Sequence, residues 1–125
     1  MIHYAPKNIE NFIEFLNSNY PTTKNVYVSV MHGYDCLDCG DDRVFAAYSH
    51  YGDVPVIITA GSKPKGLEDE PWVLEHHIAH EYCHHRQWCD SRDFDEEEAE
   101  KFAATAVATW AIRCEISDFQ SIVSE

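Results

Sequence analysis

An α+β domain is what the sequence predicts, and three observations predict it. Apolar residues recur at helical spacing near the start. β-branched and aromatic residues then gather in short runs between positions 26 and 60. From Trp72 to Trp88 neither glycine nor proline interrupts the chain, and a second helix-compatible stretch follows. Helix, three strands, then helices is the order expected of an α+β fold rather than of alternating βαβ units.

Each element has its own reason. Ile9, Phe12, Ile13 and Leu16 form one apolar face, Pro6 suits a first helical turn, and Pro21 lies beyond the end. This predicts a helix over about 6–18 that packs on a sheet. Val26 to Val30 is a strand by composition. Residues 33–42 form a turn-rich loop carrying Cys36 and Cys39. The runs Val44–His50 and Val54–Ala60 predict a hairpin across Tyr51-Gly52-Asp53, and Pro55 puts the second strand at a sheet edge or at its own beginning, because it lacks an amide hydrogen. A loop over 61–71 leads into a helix of about 72–89. After a short break a second long helix runs over about 94–114, with Ala99, Phe102, Ala103, Ala106 and Trp110 as its inner stripe. Ile116, Phe119 and Val123 predict a last short helix docking on the core.

Composition bounds the function classes. At 125 residues the chain is the size of one domain, 1–125. It is 45% hydrophobic and 13% aromatic, as a folded globular protein is. The formal charge is −13, from 22 acidic and 9 scattered basic residues, which argues against nucleic acid as a partner. No apolar run is long enough for a membrane span, and the first residues lack the layout of a signal peptide, so a cytoplasmic location is expected. The five cysteines, an odd count, are expected to be reduced thiols.

The chemistry is concentrated at His80-Glu81-Tyr82-Cys83-His84. In a helix, residues four apart share a face, so both imidazoles can reach one ion. Glu81 sits beside that face, where it would serve as general base rather than ligand. A zinc ion that binds water lowers its pKa to about 7. Catalytic zinc sites use three protein ligands and leave one position for water. The acidic run Asp95–Glu100 supplies candidates for the third, although most such carboxylates are a solvated first turn favoured by the helix dipole. With Ala99, Ala103, Ala106 and Trp110 facing inward, Glu96 lies within about 60° of the stripe at 100° per residue, whereas Glu97 points out. Glu96 is the choice and Glu98 the reserve.

His80-Glu81-Tyr82-Cys83-His84, followed by Glu96-Glu97-Glu98-Ala99-Glu100-Lys101-Phe102-Ala103-Ala104, resembles the ImmA/IrrE-type zinc metallopeptidases. Their pattern is His-Glu-x-x-His and then Glu-x-x-Ala-Asn-x-Phe-Ala. The resemblance spans roughly residues 44–112 and implies a minimal zincin-like (gluzincin) domain. In it an edge strand lies beside the catalytic helix, where a peptide can add as a further strand. It also implies zinc held by His80, His84 and Glu96, Glu81 as base, and a protein or peptide substrate, possible regulator proteins included. The sequence departs from the pattern at Glu100, where the family has Asn, and in the short connection of 11 residues between His84 and Glu96. The alternative is a non-catalytic interaction module that uses the same residues to hold zinc structurally.

Other candidates have plainer readings. His77 shares the face of His80 and could make a three-histidine site, while His76 and His85 lie off it and are expected to be solvated. Cys36 and Cys39 could bind a second zinc with two of His32, Cys83, Cys89 or Cys114, or be plain thiols. Cys83 and Cys114 are expected in the core, and Trp72, Trp88, Trp110, Phe94 and Phe102 are explained by packing. Tyr82, Tyr48 and His50 are the candidates to stabilise an oxyanion.

Overall fold

The computed structural model describes residues 6–37 and 44–123, and the side chains of 9–37 and 44–116 among them. Helix α1 (Pro6–Asn19) precedes strands β1 (Tyr27–Met31), β2 (Ala46–Tyr51) and β3 (Val54–Ala60), and helices α2 (Val73–Cys89) and α3 (Glu96–Val123) complete the chain. The protein is α+β, with three helices and one three-stranded mixed sheet.

The sheet order is β1-β3-β2. The β2–β3 hairpin closes from Tyr51 to Val54, and Gly52 (φ +64°) takes the positive φ that such a two-residue loop needs at its first position. β3 then inserts between β2 and β1, pairing parallel with β1 from Val56 onward. Pro55 lies just before that ladder, so the start-of-strand reading holds; β3 itself is the central strand. β2 is an edge strand and packs against α2. Where β3 ends, a Cβ on Gly61 would stand 2.8 Å from the Met31 carbonyl, so only glycine allows that close approach to β1.

The core joins Ile9, Phe12 and Leu16 of α1 to Ile57, Leu74, Ile78, Tyr82, Ala103 and Ala106. Burying each large member contributes roughly 1.5–3 kcal/mol. The apolar face of α1 docks chiefly on α2 and α3 rather than on the sheet as expected: Phe12 and Phe15 pack on the Trp110 ring at 5.7 and 5.3 Å. Small residues at 99, 103 and 106 of α3 let it approach α2 closely. The expected last short helix does not form. Residues 116–123 continue α3, and Ile116 is exposed, because no helix breaker interrupts the run. Among the described residues, no helix is long and apolar enough to cross a membrane.

Candidate metal centre

Two helix ends build the site. α2 stops with Ser91 in a left-handed conformation (φ +56°), and the Arg92 and Ser91 amides donate to the carbonyls of Gln87 (2.9 Å) and Trp88 (3.0 Å). This is a Schellman closure, which turns the chain back in few residues. Asp95 then caps α3, its carboxylate accepting the Glu98 amide at 3.1 Å. The helices therefore run antiparallel, and the first turn of α3 faces the last two turns of α2.

One ligand atom from each of His80, His84 and Glu96 lies within 4.8 Å of the others, a group that could hold a metal ion. The two Glu96 oxygens reach His80 Nε2 at 2.8 Å and His84 Nε2 at 2.9 Å. The histidine side chains are 15% and 5% exposed, Glu96 71%. The donor set is thus anchored at its base and open to solvent on one side.

The tautomers can be worked out. His80 Nδ1 lies 2.7 Å from Glu100 Oε1 and Nε2 2.8 Å from Glu96 Oε2. Carboxylate oxygens only accept, so a neutral ring can donate to one of them, and Nδ1–H to Glu100 is the tautomer that leaves Nε2 for a metal. His84 Nδ1 lies 2.9 Å from Gln87 Oε1. The Gln87 amide is oriented by the backbone: its NH2 donates to the Asp95 carbonyl at 3.1 Å and its oxygen accepts the Asp95 amide at 3.2 Å. Nδ1–H of His84 therefore donates as well. In the neutral rings both Nε2 atoms are then bare lone pairs facing two carboxylate oxygens. Such a set needs a proton or a cation in its midst, and outer partners on Nδ1 are how metal-ligating histidines are held. The residues fit a divalent metal.

The acidic run divides by partner. Glu98 forms a fork with Arg92 (2.9 and 2.9 Å), which lowers its pKa to about 2 and keeps it out of the cluster. Glu97 pairs with Lys101 in solvent. Glu100 bridges His76 (3.0 Å) and His80, and its pKa is lowered by the bond from His76 first. Glu81 is half-buried towards β2. Burial raises its pKa, while His80, His84 and the Tyr48 backbone amide oppose that shift and Glu96 adds to it. It is not one of the three clustered ligands, yet it lies within electrostatic reach of all of them.

Several expectations change. His77 packs at a tilt against Phe45 (ring centroids 5.0 Å apart) outside the cluster. His76 is paired rather than simply solvated. His85 is fully buried, not solvated: its Nε2–H donates to the Lys24 carbonyl (2.7 Å) and its Nδ1 accepts from the Tyr48 hydroxyl (2.8 Å). The Tyr48 proton is thereby committed, and His50 Nε2 contacts the same oxygen at 3.1 Å. Tyr82 donates to the Tyr20 carbonyl at 2.7 Å in the core. Neither tyrosine has a proton left for an oxyanion. Cys36 is disulfide-bonded, against the expectation of reduced thiols, and so offers no thiolate for a second zinc; Cys39 lies outside the described residues. Cys83 is a core thiol whose pKa burial pushes up to about 11, whereas Cys114 is half-buried. Phe94 is 53% exposed and leans on the His84 ring at 4.8 Å, which core packing does not explain. Gln87 and Glu100 were missed as anchors. Their only local signal is spacing, three residues after His84 and four after Glu96.

No protein-family model, characterised protein or solved structure matches the chain.

Proposed function

We propose that the protein is a zinc-dependent peptidase with a minimal zincin-like, ImmA/IrrE-type site, in which His80, His84 and Glu96 hold the metal and Glu81 is the general base. One observation carries this reading: two imidazoles, with Glu100 and Gln87 as acceptors beside their Nδ1 atoms, turn both Nε2 atoms on one carboxylate beside the acidic residue of the same motif. Two nitrogens and an oxygen with an open side suit catalytic zinc. Bound there, zinc would supply Lewis acidity, lowering the pKa of coordinated water to about 7 and polarising a carbonyl.

The remaining work falls to the chain's own groups. Glu81 takes the proton of the attacking water on a carboxylate oxygen and later delivers it to the leaving amine. Edge strand β2 lies next to it and offers backbone groups to an extended substrate, which favours peptides over compact ligands.

Metal analysis and turnover on a peptide library test this reading. Wild type is expected to carry about one zinc per chain. Glu81→Gln keeps the metal and loses hydrolysis, because an amide accepts no proton. Glu96→Gln loses metal affinity. Zinc lost from Glu81→Gln and retained in Glu96→Gln would reverse the two roles, and zinc bound without any cleavage would favour the non-catalytic interaction module.

A further inference from the structure

The order β1-β3-β2 leaves the sheet two edges, and they are not alike. β2 lies beside α2, the helix that carries His80 and His84. β1 is the far edge, and among the described residues β3 is the only element with which it makes extensive contact. An edge strand presents a row of unpaired N–H and C=O groups, which proteins protect with charged side chains, proline, a bulge or a covering segment. Tyr27-Val28-Ser29-Val30-Met31 has neither charge nor proline, and its register with β3 runs unbroken over all five residues.

Which groups point outward follows from one bond. The Met31 carbonyl accepts the Gly61 amide at 3.0 Å, just past the end of β3, so the backbone of Met31 faces β3. Backbone groups alternate along a strand, so Tyr27 and Ser29 face β3 as well, and the amides and carbonyls of Val28 and Val30 point to the open edge. Outside the sheet, these two residues have no backbone partner among the described residues. Their side chains pack on the core, while those of Tyr27, Ser29 and Met31 are exposed on the opposite face.

We propose that β1 pairs antiparallel with β1 of a second copy of this chain about a two-fold axis at Ser29, joining two three-stranded sheets into one of six strands. The edge is complementary to itself in this register. Val28 faces Val30 of the second copy in a hydrogen-bonded pair, each with an amide and a carbonyl to offer. Ser29 meets its own counterpart, a small uncharged pair at the closer side-chain spacing, and Tyr27 lies against Met31, an aromatic ring on a thioether. With a net charge of −13 on each chain, most of the surface repels a second copy, and this uncharged strand is where two can approach. Each β1 is used once, so the contact closes as a dimer, and both β2 edges stay open.

Sedimentation velocity of the full chain over a range of concentrations tests this, with two variants at the exposed Ser29. Wild type is expected to form a dimer at high concentration and nothing larger. Ser29→Lys sets two ammonium groups across the axis and is expected to weaken the dimer at least about tenfold, with the circular dichroism of wild type. Ser29→Cys is expected to give a disulfide-linked dimer with glutathione disulfide as oxidant, well above the background that wild type gives through its own thiols. A wild type that stays monomeric at every concentration would overturn the proposal and leave the edge to a segment of another protein. Mass that keeps rising with concentration, a dimer indifferent to Ser29→Lys, or a dimer that Ser29→Cys does not cross-link would overturn it too.

Discussion

Glu75 and Gln87, two of the fully buried polar side chains of helix α2, lie near its opposite ends and are treated in opposite ways. Gln87 bonds to His84 and to both the amide and the carbonyl of Asp95. Glu75 has no hydrogen-bond partner on either oxygen. The helix ends differ in the same sense. Near Gln87 a Schellman turn closes α2, while near Glu75 the helix starts from a left-handed Trp72 with no side-chain cap. Saturated hydrogen bonding fixes an orientation, and an orphan carboxyl costs stability without fixing anything. The polar connections are concentrated where the two helices bring His80, His84 and Glu96 together.

The largest loss is expected from substitution at Gln87. Gln87→Leu strands the His84 Nδ1–H and the Asp95 amide, and is expected to cost about 1–3 kcal/mol in denaturant unfolding and about 10–100-fold in zinc affinity. Gln87→Glu keeps an acceptor for His84 and is expected to recover most of the zinc affinity. Equal loss in both variants would make the residue a packing element only.

At the other end the sign reverses. Glu75→Met removes two orphan oxygens and is expected to raise stability by about 1–2 kcal/mol. Burial raises the Glu75 pKa, against weaker pulls from its own backbone amide and then from Lys63, so the native state keeps its proton where the unfolded chain has released it. This contribution is therefore full below the ordinary glutamate pKa and is lost as pH rises through the range above it. Chemical denaturation across that range should show a falling slope in wild type that flattens in Glu75→Met. A parallel fall in both would assign the slope to other groups.

The smallest effect is expected at Glu98. Its pKa is lowered by the Arg92 fork, so its contribution is present above the ordinary glutamate value and fades as pH falls towards about 2. Being exposed, the pair adds little. Glu98→Gln is expected to leave zinc stoichiometry unchanged and to shift the melting temperature less than either change above. Loss of zinc would make Glu98 a ligand after all.

Much was legible locally. The α1 and α2 boundaries and the hairpin follow from spacing, glycine and proline, and the four-residue interval places His80 and His84 on one face whatever surrounds them. The inner stripe Ala99, Ala103, Ala106 orients Glu96 towards α2 for the same reason. His85 was misjudged because its partners, the Lys24 carbonyl and the Tyr48 hydroxyl, arrive from remote segments. The tail was misjudged because an apolar stripe predicts a face and not what covers it; Ile112 and Ile116 remain exposed.

Local spacing therefore limits which residues can converge, since a helix sets the angle between side chains by a rotation of about 100° per residue. Tertiary structure decided which of them do. Arg92 occupies Glu98, Phe45 packs against His77, and Glu100 and Gln87 sit beside the Nδ1 atoms of the two histidines. The Arg92–Glu98 and Glu100–His80 pairings depend on how the chain turns between the two helices, and Phe45 reaches His77 from beside the sheet. Such partners are chosen by distance in space, which spacing along one helix does not contain.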